Sequence, residues 1–205
     1  MSNTIFPLLS IARHRMGTDG AGITTLVAGA GCPLRCAWCI NKKLLQETAP
    51  QNVAASELLE RVMVDDLYFR ATGGGITFGG GEALLHADFI REFRGICPSE
   101  WKINVETSLF VPRNYLAAVS DVVDLFVVDC KDMNPDIYKK YTGEEGSVMT
   151  ENLQYLLQRA GSERVIVRVP LIPEYNTEED QKKSAQMLTE MGVEKLDLFS
   201  YCIRD

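Results

Sequence analysis

The run Asp124-Leu-Phe-Val-Val-Asp-Cys-Lys131 holds four consecutive apolar residues, Leu125-Phe126-Val127-Val128, between two acids. An unbroken β-branched and aromatic stretch of this length predicts a parallel strand buried on both faces. Five further runs follow the same pattern: Ile23–Ala30, Gly75–Phe78, Lys102–Thr107, Arg164–Ile172 and Lys195–Tyr201. Helical stripes lie between them. Leu58, Leu59 and Val62 mark one, and Phe89, Phe93 and Ile96 mark another. Thr177-Glu-Glu-Asp180 reads as a capping box ahead of Met187, Leu188 and Met191, with Gly192 as the stop. Six alternations of strand and helix imply right-handed crossovers and an α/β fold, a parallel sheet curled as an incomplete (β/α)6 barrel. A flat doubly wound sheet fits the same alternation. No long linker, alignable repeat or low-complexity tract interrupts the chain, so residues 1–205 are expected to form a single domain.

A 46% hydrophobic content over 205 residues is enough for one substantial core. The net charge of -7 argues against a nucleic-acid surface, which needs a clustered basic face. The longest apolar stretches, such as Ile5–Leu9 and Val165–Ile172, are too short or too interrupted to span a membrane. No secretion signal is recognisable at the N-terminus, and a cytoplasmic protein is expected.

In parallel α/β folds chemistry gathers at the carboxyl ends of the strands. After the first run stands Cys32-Pro-Leu-Arg-Cys36-Ala-Trp-Cys39, and after the second Gly79-Gly80-Gly81-Glu82. The third ends in Glu106-Thr107, the fourth carries Asp129 and Lys131, the fifth Arg168, and the sixth ends in Tyr201-Cys202. An iron–sulfur cube normally takes four thiolates, so a C-x3-C-x2-C triplet with no fourth cysteine nearby points to a cluster with one iron left open. Zinc is the rival metal, but it usually collects four ligands, and His14 and His86 both lie away from the triplet. Disulfides would suit a secreted chain. Cys97 and Cys130 read as buried small apolar residues.

The glycine run is readable as a tight turn alone. Followed by Glu82, it equally offers backbone groups and an acceptor for an ammonium. Asp129 and Lys131 point to one face of their strand, as a structural ion pair or as ligand contacts. Arg168 sits inside an apolar run and needs an anionic partner, either substrate or a carboxylate side chain.

The cysteine triplet with Trp38 before its last member, followed by Gly80-Gly81-Glu82, resembles the radical S-adenosylmethionine superfamily. Asp19-Gly-Ala-Gly22, Ile76–Leu85, Glu106-Thr107, Asp129-Cys-Lys131-x-Met133 and Val167–Pro173 resemble its glycyl-radical-enzyme activases, from about Ser10 to Tyr201. The resemblance implies a [4Fe–4S] cluster on Cys32, Cys36 and Cys39, with S-adenosyl-L-methionine chelated to the free iron. It implies Glu82 as acceptor for the methionyl ammonium, Gly80 and Gly81 along the same moiety, and Trp38 and Ile40 flanking the adenine. Asp129 and Lys131 would contact the cofactor, and Glu106 with Asp129 would form a monovalent cation site. One electron from a flavodoxin or ferredoxin would give methionine and a 5′-deoxyadenosyl radical, which takes hydrogen from a glycine of a partner glycyl radical enzyme.

Several positions depart from the pattern. Ala21 replaces a usual proline, Glu106 stands where the activases often carry aspartate, and Cys202 occupies the place of a cofactor-contacting histidine. No cysteine-rich insert lies between Asn41 and Gly74, which speaks against the type with two extra clusters. The chain stops at Asp205, and a more open lateral face is expected there. That face would accept an extended loop of a large partner, with Arg168 and Cys202 near its path. Two other functions fit the residues: a radical enzyme acting on a small molecule or short peptide, and a non-catalytic iron–sulfur protein that scaffolds a partner.

Overall fold

All six apolar runs form strands, and the helical crossovers between them leave all six parallel. The structure is a computed structural model and describes residues 4–201. Its strands are β1 (Ile5–Met16), β2 (Ile23–Gly29), β3 (Gln51–Ala54), β4 (Gly75–Gly80), β5 (Lys102–Thr107), β6 (Leu125–Asp129), β7 (Val165–Leu171) and β8 (Lys195–Ser200). They form one open sheet in the order β3-β1-β2-β4-β5-β6-β7-β8, with β1 antiparallel to both β2 and β3. The six parallel strands in chain order and the unjoined edges agree with the expected incomplete (β/α)6 arrangement. β1 and β3 extend it.

The helices are α1 (Lys42–Glu47), α2 (Ala55–Val62), α3 (Asp66–Thr72), α4 (Ala87–Ile96), α5 (Arg113–Val119), α6 (Pro135–Thr142), α7 (Ser147–Ala160) and α8 (Glu178–Glu190). Alternation within the strands decides what faces them. Val27, Ile76, Phe78, Ile103, Val105, Phe126, Val128, Val165, Val167 and Val169 join one core with Leu58, Val62, Phe89, Phe93 and Leu188 from the helices. The expected capping box forms in full: Thr177 Oγ1 accepts from Asp180 N, and the Asp180 carboxylate accepts from Thr177 N at 2.9 Å. Two residues expected in the helical stripes lie outside the core. Ile96, the last residue of α4, and Met187 on α8 are each 45% exposed.

The other face of the sheet carries polar side chains, and the connection from β1 to β2 crosses it. Thr77 Oγ1 and Asn104 Nδ2 both donate to Asp19 O, at 2.7 and 3.1 Å. Arg168 Nη2 donates to Thr18 O, and Arg15 pairs with Asp19. Gly20, at φ +137°, permits this approach, since a Cβ there would stand 2.3 Å from Asn104 Nδ2. One loop therefore ties β4, β5 and β7 together across the inner face.

Candidate cofactor site at the strand carboxyl ends

The cysteine loop leaves β2 through Gly29-Ala30-Gly31, and each step is held. Ala30 N donates to Pro7 O at 2.9 Å, and Ala30 O is 2.8 Å from His86 Nε2. The Gly80–Glu82 turn pairs with the same segment: Gly81 N donates to Gly29 O at 3.0 Å and Glu82 N to Gly31 O at 2.8 Å. A Cβ at Gly81 would stand 2.0 Å from Gly31 O, so only glycine lets the two turns meet. Past the cysteines, Asn41 Nδ2 donates to Gly80 O at 2.7 Å. The amides on either side of Cys36 are bound to the last turn of α6, Arg35 N to Thr142 O and Ala37 N to Tyr141 O, both at 3.0 Å. The structure thus brings the triplet and the Gly-Gly-Glu turn together through main-chain bonds.

Cys32 is exposed, and Cys36 and Cys39 are half-buried. Burial pushes the Cys32 thiol up to about 11, with Glu82, Cys36 and Cys39 adding to it against a backbone bond at Leu34. Cys36 is raised mainly by burial, while Lys131 pulls it down. Cys32 and Cys36 therefore hold their protons until a cation displaces them. Among the described residues no three His, Cys, Asp or Glu side chains converge as ligands of one ion. Three thiols of one short loop can take separate corners of a cube without meeting at one point. The donor set of three thiols in one loop fits a cluster.

Glu82 is 2% exposed, and its carboxylate is full. Oε1 accepts from Leu84 N at 3.1 Å and Thr107 Oγ1 at 2.6 Å; Oε2 accepts from Ser108 N at 2.8 Å and Ser108 Oγ at 2.6 Å. Burial still raises its pKa against the pull of those bonds. Four donors occupy the roughly four acceptor sites of a carboxylate, so the ammonium expected at Glu82 meets no free oxygen here.

The remaining charges are paired across the inner face. Arg168 Nη1 bonds Glu106 Oε1 at 2.9 Å, with Asp197 at 3.8 Å. The anion that Arg168 required is therefore a carboxylate side chain. Burial raises the Glu106 pKa while Arg168 pulls it down. Lys131 Nζ lies 3.1 Å from Asp129 Oδ2 and 3.3 Å from the Tyr201 hydroxyl. Burial works against its charge, but Asp129, Tyr201 and Cys36 outweigh that and hold its pKa well above the ordinary lysine value.

Trp38 is half-buried with its Nε1 shielded and unpartnered. Ile40 is 96% exposed. Cys130 is buried as expected and Cys97 half-buried. Cys202 lies outside the described residues. Sequence reasoning missed Asn41, His86, Ser108, Tyr138 and Tyr141. Only Ser108 carried a signal, as the residue directly after Glu106-Thr107.

A family model described as the Radical SAM superfamily matches residues 26–185. The pyruvate formate-lyase-activating enzyme of Clostridium pasteurianum is 30% identical over 186 residues, covering 89% of this chain and 77% of that protein. The pyruvate formate-lyase 1-activating enzyme of Escherichia coli (strain K12) is 29% identical over 188 residues, covering 89% and 76%. Among solved structures, Streptococcus suis SuiB bound to precursor peptide SuiA superposes with a TM-score of 0.65 at 11% identity. It matches 83% of this chain, which spans 37% of SuiB, and the likeness is one of fold.

Proposed function

This chain belongs to the Radical SAM superfamily, and from that premise we propose that it activates a glycyl radical enzyme. The observation that carries the proposal is the main-chain pairing of the cysteine loop with the Gly-Gly-Glu turn, in a chain whose curated relatives are activating enzymes. A [4Fe–4S] cluster held by Cys32, Cys36 and Cys39 would supply, when bound, the one-electron reductive chemistry by which S-adenosyl-L-methionine is cleaved and a glycine of the partner protein loses hydrogen.

The chain's own residues set the stage for that event. Cys32, Cys36 and Cys39 hold the cluster. Gly80 and Gly81 bring cofactor and cluster loop within one another's reach, and Glu82 closes the turn against Thr107 and Ser108. Lys131, kept charged beside Asp129, would contact the cofactor, and Trp38 would flank its adenine. A monovalent cation beside Glu106 and Asp129 would share those carboxylates with Arg168 and Lys131. The electron donor is a flavodoxin or ferredoxin, the compartment the cytoplasm, and residues 1–205 one domain. Among the described residues no helix is long and apolar enough to cross a membrane.

The test is anaerobic incubation of reduced protein with S-adenosylmethionine and a glycyl radical enzyme encoded beside it. Electron paramagnetic resonance should record a glycyl radical, with 5′-deoxyadenosine formed alongside. Efficient turnover of a small metabolite or free short peptide, with no protein radical, would overturn the reading.

A further inference from the structure

Beside the cysteines the chain reverses its sign of charge. Between Asp19 and Glu57 the only charged residues are Arg35, Lys42, Lys43 and Glu47, three positive against one negative. That stretch carries +2, where the whole chain carries -7 and the remainder therefore -9. Arg35, Lys42 and Lys43 are all exposed, and among the described residues none of the three enters an ion pair.

Local structure does not account for the two lysines. Both stand in the first turn of α1, where the helix dipole disfavours cations, and no acid in that turn offsets them. α1 buries none of its six residues: Leu44 and Leu45 are half-buried, and Ile40 just ahead of the helix is 96% exposed. A helix this short normally persists by packing an apolar face, and α1 packs its own only in part. Its place is nevertheless fixed. Lys42 N donates to Cys39 O at 3.1 Å and Cys39 N to Cys36 O at 3.3 Å, so the cationic start of α1 is bonded directly to the last two cysteines. From β2, which the cysteines follow, the sheet order puts β3 on one side and β4, β5 and β6 on the other. α1 leads to β3, whereas Gly80, Glu106 and Asp129 stand on β4, β5 and β6.

We propose that Lys42 and Lys43, with Arg35 beside them, form the docking surface of a small acidic one-electron carrier protein that reduces the cluster. The inference rests on the activase reading above. One electron leaves the carrier, which is oxidised, and enters the cluster, which is reduced; no bond forms or breaks. Exposed, unpaired cations around a few apolar side chains suit such a transient partner, because electron-transfer encounters bury little area and complementary charge mainly speeds their association. The -9 of the remaining chain repels an acidic carrier elsewhere and steers it to this patch. A glycyl radical enzyme has to bring its glycine to the cofactor residues on β4, β5 and β6, and α1 lies on the other side of the cysteines.

The test uses the loaded protein, a flavodoxin of strongly negative net charge as the carrier, and the double variant Lys42→Glu with Lys43→Glu. Titration calorimetry of oxidised flavodoxin should give a Kd raised about tenfold in the variant at about 0.05 M salt. At about 0.3 M salt wild-type binding should weaken severalfold and the difference shrink below about twofold. The KM for reduced flavodoxin in S-adenosylmethionine cleavage should rise in parallel with Kd, and Lys42→Gln with Lys43→Gln should fall between the two forms. With dithionite, which needs no docked protein, all forms should cleave at equal rates. An unchanged Kd and KM in the Glu variant would overturn the proposal. So would an equal loss of rate with dithionite, which makes the lysines part of the cluster loop's own structure, or weakened binding of the glycyl radical enzyme with flavodoxin binding intact, which gives the surface to that partner. A wild-type protein that cleaves nothing under dithionite removes the functional reading itself, a result plainly different from an unchanged flavodoxin affinity.

Discussion

Replacing Glu82 separates a turn-closing carboxylate from a cofactor acceptor. Glu82→Ala strands Leu84 N and Ser108 N, two shielded amides that cannot reverse direction, while the Thr107 and Ser108 hydroxyls rotate to other partners. At about 1–3 kcal/mol per orphaned donor the gross loss is about 2–6 kcal/mol. Removing a buried charge returns part of this, because burial already holds the Glu82 pKa above its ordinary value. The expected net loss is about 2–4 kcal/mol. Glu82→Gln keeps one acceptor oxygen, and in either orientation its amide faces one of the two backbone donors. Its loss should be roughly half as large, about 1–2 kcal/mol, or about 2–8 °C in Tm for a chain of this size. Anaerobic urea unfolding measures the stability, and equilibrium dialysis of S-adenosylmethionine measures binding. Wild-type unfolding of Glu82→Ala together with lost cofactor affinity would refute the reasoning and return Glu82 to the ammonium.

The loaded wild-type protein should contain about four irons and four sulfides, and Cys32→Ala, Cys36→Ala and Cys39→Ala should each lose them; full iron retention in all three, or zinc in its place, contradicts the assignment. His86 is held below its ordinary value of 6.5 by burial, against its bond to Ala30. The unfolded chain therefore binds a proton that the folded chain refuses, so stability present above about pH 6.5 is lost as the pH falls through the window beneath it. Urea midpoints should drop from about pH 7.5 to about pH 5.5, and His86→Gln should flatten that drop; an equal slope in the variant rules the ring out. Arg168→Met leaves Glu106 half-buried and unpaired and should destabilise by about 1–3 kcal/mol, whereas Arg168→Met with Glu106→Gln should recover more than half of that loss. Additive losses in that cycle would show that the pair does not act as one. Asn41→Ala frees Gly80 O and should weaken cofactor binding more than it lowers iron content; the reverse order would place Asn41 in cluster retention alone.

Where strands are continuous apolar runs buried by helices, local pattern and structure coincide, as in Leu125-Phe126-Val127-Val128 and β6. β1 escaped that reading because it pairs antiparallel with two register shifts and leaves polar side chains such as Arg13 and His14 exposed. Ile96 and Met187 satisfied the helical period, yet one ends its helix and the other turns outward, positions that a period alone does not distinguish. At the site, the polar residues foreseen at the strand ends stand there, while their partners were harder to foresee. The need of Arg168 for an anion was legible, but its partner Glu106 lies two strands away and no spacing announces it. The same holds for Glu82, three of whose four donors come from the end of β5 and the residue after it. Tyr138 and Tyr141 look like core on α6, where both are 1% exposed.

The loop from β1 to β2 that braces the inner face imposes an order of assembly. Thr18 O receives Arg168 Nη2 across a sequence separation of 150 residues. Synthesis at about 5–20 residues per second keeps the carbonyl waiting about 8–30 s before its donor exists. Over that interval the three thiols have left the ribosome on a chain whose far strands are still unmade, and the sheet beneath them lacks its last ties. Metal delivered to such a nascent chain meets three mobile thiols, and metal delivered after release meets the finished loop. The brace thus cannot close before β7 has been made, and the inner face of the sheet is completed only once most of the chain exists.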